Sequence, residues 1–243
     1  RGNNYYNTPF IILALISFLN YSCSKEARYK IKSGSLVSQG SMPKNPRVTV
    51  YLDASVSMKG YVHVNDSGNY LIKKLLPSLV RSFNEPGINL KTCKIANNKV
   101  ENIPLTNFTA SLQDGTIFNG TSTPLDSIFS NIIDTLKQND LCFLVTDGIL
   151  DFADKNLNNA TEAENIFNII SDKLKRKNNS YAVFQYYSDF NGDHYFDYKN
   201  TGGRNMSIRP YHDRIMHKRP LYIWALGNKE MIKDLFENKS LGG

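Results

Sequence analysis

The chain has 243 residues, 41% of them hydrophobic and 21% charged, enough for one sizeable α/β domain and short for two with linkers. A net charge of +7 raises nucleic acid as a partner, but the 29 Lys and Arg residues are scattered, with short clusters only at 173–177 and 214–219. They form no arginine–aromatic constellation of a nucleic-acid module, so the basic residues are read as a solvated surface and no nucleic acid is expected.

The N-terminal segment differs in kind from the rest. Residues 9–19, PFIILALISFL, form an apolar run of about eleven residues. A bilayer needs roughly 20, so the run fits the hydrophobic region of a signal peptide better than a membrane span. It leads to Asn20-Tyr21-Ser22-Cys23, a small residue directly before a cysteine, which resembles the lipobox of bacterial lipoproteins. That resemblance implies cleavage before Cys23 and a lipid on its sulfur. Residues 1–22 are therefore expected to be a fragment of a signal peptide. The polar, Gly/Ser/Lys-rich stretch to residue 46 reads as a tether from the lipidated Cys23.

From Arg47 onward the hydrophobic period alternates. Residues 48–53 read as a buried strand, and residues 70–83 as a helix that Pro77 either kinks or starts. Short strands follow at 90–95 and 99–103, joined by a turn at Asn97-Asn98. An apolar stripe from Leu125 to Leu136 marks a helix, and LCFLVT at 141–146 a central parallel strand covered on both faces. A helix over 161–174 opens with a Thr161/Glu164 capping box. Strands at 181–187 and 221–226 and a closing helix at 229–236 complete the pattern. Cys93 and Cys142 lie within strand-like runs and are expected to be buried thiols. Strands alternating with helices predict a three-layer α/β/α domain over 47–243, Rossmann-like, with a doubly wound and mainly parallel sheet.

In open sheets of this kind, sites form outside the carboxyl ends of the strands. Asp53 closes the first strand and is followed by Ser55 and Ser57; Asp147-Gly148 closes the LCFLVT strand. Both aspartates thus belong on one edge. Between them, Asn119-Gly120-Thr121-Ser122-Thr123-Pro124 precedes a helix. Taken alone, Thr123 is that helix's N-cap, Pro124 its first residue, and Asp126 the partner in a capping box. Taken with the aspartates, the ordered trio of Asp-x-Ser-x-Ser, loop threonine and strand-end aspartate resembles the von Willebrand factor A domain and its metal-ion-dependent adhesion site. The resemblance covers most of 47–236. It implies Mg²⁺ (or Mn²⁺ or Ca²⁺) touched by Ser55, Ser57 and Thr123, with Asp53 and Asp147 acting largely through water. Thr121 is the alternative to Thr123 in the same loop. The resemblance further implies that a protein partner donates an acidic residue to the metal.

About thirty residues, 188–219, separate the last two strands, and Asn191-Gly192 between aromatic runs signals a β-hairpin insertion. Leaving from a carboxyl end, the insertion is expected to shape the partner surface through Tyr195, Tyr198 and Arg204, unless it merely finishes the sheet's edge. The reading is a non-enzymatic, lipid-anchored adhesion or complex-assembly module of the bacterial envelope, on the periplasmic or surface face of the outer membrane. An empty-site scaffold and a metal-dependent hydrolase are the alternatives. Against the hydrolase, the sequence has no phosphate loop, no Asp-x-Asp at Asp53 and no nucleophile elbow.

Overall fold

In a computed structural model of the chain, the described residues are 45–63, 68–121, 123–148, 159–176, 178–193, 210–211 and 218–237. The chain divides into two units, Arg1–Lys30 with Gly243 and Ile31–Gly242, and all the described residues belong to the second. Cys23, Tyr195, Tyr198 and Arg204 lie outside them.

The elements, in chain order, begin with strand β1 (Arg47–Asp53), a 3₁₀ turn (Val56–Tyr61) and helix α1 (Ile72–Ser82). Strands β2 (Asn89–Ala96) and β3 (Lys99–Asn102) and helices α2 (Leu105–Asp114) and α3 (Leu125–Thr135) follow. Next come β4 (Asp140–Thr146), α4 (Asn159–Arg176), β5 (Asn179–Asp189) and the two-residue strands β6 (Gly192–Asp193) and β7 (Pro210–Tyr211). Strand β8 (Lys218–Asn228) and helix α5 (Lys229–Glu237) close the series.

Six strands form one sheet in the order β3-β2-β1-β4-β8-β5. Strand β1 pairs in parallel with β2 and β4, whereas β3, β8 and β5 each join their neighbours antiparallel. The fold is thus α/β with a parallel centre, and the sheet is mixed where a mainly parallel one was expected. The difference comes from β8, which enters between β4 and β5 and runs against both. Asn191-Gly192 does not turn β5 back on itself: Gly192 opens β6, which pairs with β7.

Successive side chains of a strand point to opposite faces, and the core divides accordingly. Leu141, Phe143 and Val145 of β4 join one buried cluster with α1, α2 and α5. Cys142 and Leu144 join the other with α3 and α4. Every residue of β4 is buried, as a strand covered on both faces requires. A fully buried aliphatic side chain contributes about 1.5–3 kcal/mol, so this two-sided core holds the sheet's carboxyl edge in place.

Local chemistry sets the connections. Asn97 and Asn98 have φ of 51° and 62°, the two left-handed positions of a tight hairpin between β2 and β3. Helix α1 runs through Pro77 without ending. Proline cannot donate to the carbonyl four residues back, and that carbonyl, on Lys73, instead accepts the Gln113 side-chain amide at 3.5 Å. Cys93 and Cys142 are buried free thiols, as expected. Among the described residues no helix is long and apolar enough to cross a membrane.

Candidate metal site at the carboxyl edge

Strands β1 and β4 are adjacent and parallel, with Leu52 opposite Val145. Their next residues, Asp53 and Thr146, therefore leave the sheet side by side. Asp53 is 1% exposed. Its Oδ1 accepts the Ser55 amide at 2.9 Å and the Thr123 hydroxyl at 2.8 Å; its Oδ2 accepts the Thr146 hydroxyl at 2.8 Å. The first of these bonds folds Asp-x-Ser back on itself as an Asx turn. It leads into the 3₁₀ turn, where the Ser55 and Ser57 hydroxyls lie 2.9 Å apart.

The loop that carries Thr123 is stitched to the same turn. Gly120 N–H donates to Ala54 O at 2.8 Å, and Val56 N–H donates to Gly120 O at 2.8 Å. A Cβ at Gly120 would fall 2.9 Å from Ala96 Cβ and 3.1 Å from Ala54 O, so only glycine lets the loop approach this closely. Thr121 points elsewhere: its amide and hydroxyl both donate to Asn97 Oδ1 at 2.7 Å. The geometry thus brings Thr123, and not Thr121, to Asp53.

Thr123 also departs from the helix-cap reading. Pro124 occupies the N-cap of α3, no side chain caps the helix, and Asp126 Oδ1 is buried without a hydrogen bond. The Thr123 hydroxyl is committed to Asp53 across 70 residues of sequence. As a cap the hydroxyl would accept from a backbone N–H of α3; here it donates instead to the buried carboxylate, which is costly to leave unsatisfied.

Asp147 follows Thr146 and is 8% exposed. The Thr146 hydroxyl accepts the Gly148 amide at 3.1 Å, which shapes the turn around Asp147. Gly148 has φ of 72°, and a Cβ there would meet the Tyr222 ring at 3.0 Å. Burial pushes the Tyr61 and Tyr222 phenols up, and the nearby Asp147 charge adds to both shifts. The carboxylate of Asp147 is therefore within electrostatic reach of the turn that carries Ser57 and of β8.

Hydrogen bonds join Asp53, Ser55 and Thr123, and Ser57 is joined to Ser55; Asp147 follows Thr146 at the end of β4, on the same edge. The sequence reading gave no role at this edge to the Thr146 hydroxyl, to Gly120 as the point of close approach, or to Asn97 as the anchor of Thr121. Thr146 had a visible signal, a hydroxyl ending an otherwise apolar strand at the expected edge.

The donors fit a hard divalent cation. All are oxygens, three hydroxyls and two carboxylates, the type that Mg²⁺ selects. The three groups that donate to Asp53, the Ser55 amide and the Thr123 and Thr146 hydroxyls, are all neutral. Burial raises its pKa, and the hydrogen bonds from Ser55, Thr123 and Thr146 only oppose that shift. A buried carboxylate among neutral hydroxyls lacks counter-charge, and a cation held there would supply it.

Compared with known protein families, curated proteins and solved structures, the chain matches none.

Proposed function

We propose that the chain is a divalent-cation-dependent protein-binding module that resembles the von Willebrand factor A domain in its ordered Asp-x-Ser-x-Ser, loop threonine and strand-end aspartate. The observation that carries this reading is the environment of Asp53, a carboxylate 1% exposed and hydrogen-bonded by the Thr123 hydroxyl from a distant loop. A merely structural carboxylate would gain more from a basic partner, as Asp140 does from Arg47 at the other end of the sheet, at 3.0 Å. Ser55, Ser57 and Thr123 would hold Mg²⁺, Mn²⁺ or Ca²⁺ directly, and Asp53 and Asp147 would act through bridging water. Bound there, the ion supplies an open coordination position for a carboxylate oxygen of the partner.

The remaining work falls to this chain's own groups. Asp53 orients the Thr123 and Thr146 hydroxyls, Gly120 brings the loop within reach, and the buried strands keep the edge rigid. With only neutral hydroxyls touching the ion and both carboxylates acting through water, the ion's immediate shell would carry no negative charge, which favours an anionic ligand on the partner. The module is non-enzymatic in this reading. It is tethered through lipid on Cys23 to the bacterial cell envelope. Incorporation of labelled fatty acid during bacterial expression, lost in Cys23→Ser, checks the anchor; equal labelling in that variant would refute it.

Thermal unfolding of the full chain with Mg²⁺, with Mn²⁺ and with EDTA tests the site. A ligand at about 100 times its Kd adds roughly 2.7 kcal/mol, a rise in Tm of about 5–11 °C for a domain of this size. That rise is expected in the parent and not in Asp147→Ala. Identical curves with and without millimolar metal would favour a scaffold with an empty site.

A further inference from the structure

The β5–β8 ribbon extends past the end of β4 and stands beside the metal site. Thr146, the last paired residue of β4, is opposite Tyr222. Beyond it, Leu221, Pro220, Arg219 and Lys218 of β8 still pair with Tyr186, Tyr187, Ser188 and Asp189 of β5. Four further pairs at ~3.3 Å each raise a wall about 13 Å above the carboxyl edge.

This wall is fixed to the turn that carries Ser57. The Tyr61 hydroxyl donates to Pro220 O at 2.6 Å, and the Asn191 amide donates to Gly60 O at 2.8 Å. The Phe190 ring meets Tyr61 edge-on, with centroids 4.9 Å apart. It also lies against Gly60, where a Cβ would fall 2.4 Å from the ring. Arg219 caps this stack, its guanidinium carbon 4.8 Å from the Phe190 centroid. Stacking engages the face of a guanidinium, while its N–H fork lies in the plane and matches a carboxylate. Contact with the Phe190 ring restricts the Arg219 side chain, so less entropy is lost when an anion arrives.

We propose that Arg219 is a second anion-reading group beside the metal, so that the partner's determinant is a pair of acidic groups, one at the ion and one at Arg219. This rests on the metal-site reading above. Lys218 is the adjacent wall cation, but its side chain projects from the opposite face of the ribbon, and it serves as the charge control.

The test uses the full chain loaded with Mn²⁺ and follows water-proton relaxation as carboxylates displace water from the ion. The probes are acetate and butyrate against a series of dicarboxylates from succinate to pimelate. At least one dicarboxylate is expected to bind about fivefold more tightly than the monocarboxylates, the upper end for a solvent-exposed ion pair. Arg219→Gln is expected to abolish that advantage while leaving Mn²⁺ and acetate binding unchanged, and Lys218→Gln to keep it. No dicarboxylate advantage in the parent, or one that survives Arg219→Gln, overturns the inference while the metal site stands. Failure of every carboxylate to displace water from bound Mn²⁺ overturns both.

Discussion

Replacing Thr123 by valine keeps the side chain's shape and deletes the hydroxyl that donates to Asp53 Oδ1 at 2.8 Å. Thr123 is 3% exposed and Asp53 1% exposed, so water cannot replace the lost bond. Leaving a buried acceptor short of one partner costs about 1–3 kcal/mol, a fall in Tm of about 2–12 °C for a domain of 150–250 residues. Loss of a helix cap would cost a similar amount, about 1 kcal/mol, so the single variant cannot separate the two roles. A double-mutant cycle with Asp53→Ala can, measured by urea unfolding of the full chain in EDTA. If the hydroxyl serves Asp53, Thr123→Val costs little once residue 53 is alanine, with a coupling energy of about 1 kcal/mol or more. If it capped α3, its cost would not depend on residue 53. Additivity within about 0.5 kcal/mol would refute the assignment of Thr123 to the site.

Gly120→Ala forces a Cβ to 2.9 Å from Ala96 Cβ. Overpacking of this kind costs about 1–3 kcal/mol, and the variant is expected to lose its thermal response to metal along with that stability. An unchanged metal response in a destabilised variant would show that the loop's approach does not position Thr123. For Cys142, burial pushes the thiol up to about 12 from an ordinary value near 9. Because its folded-state pKa is raised, its contribution is fully present below about pH 9 and is lost as the pH rises toward 12. The folded chain is expected to leave Cys142 unmodified by a thiol reagent at pH 8, and Cys142→Ala to flatten the alkaline limb of stability against pH. Rapid modification of Cys142 without unfolding would contradict its burial.

Much of the fold was legible because its signals are local. The unbroken apolar run of β4 and the helical stripe of α3 state their burial in their own periodicity, and Asn97-Asn98 states a tight turn. The direction of β8 was not legible. It depends on how the residues between Asp189 and Lys218 return the chain, and a strand's apolar pattern is the same whichever way it runs. Helix α2 was missed because only Phe108 and Leu112 of its ten residues are buried, too few to mark a period. The rule that open sheets build sites at carboxyl ends put Asp53 and Asp147 on one edge, and Ser55 and Ser57 came from the Asp-x-Ser-x-Ser spacing and the resemblance it carries. Thr123 was ambiguous, since a threonine before a helix caps it unless something nearby competes more strongly. Only three dimensions show that competitor to be Asp53. Thr146 was passed over as part of a strand, although its hydroxyl holds the second oxygen of that carboxylate.

The most direct measurement is the stoichiometry of Mn²⁺ bound to the full chain, by equilibrium dialysis with electron paramagnetic resonance of the free ion. One saturable site per chain is expected, displaced by excess Mg²⁺ and lost when Ser55 and Ser57 are both replaced by alanine in a chain that still unfolds cooperatively. Absence of saturable Mn²⁺ binding, or a site indifferent to the two serines, would contradict the claim that this edge of the sheet holds a cation.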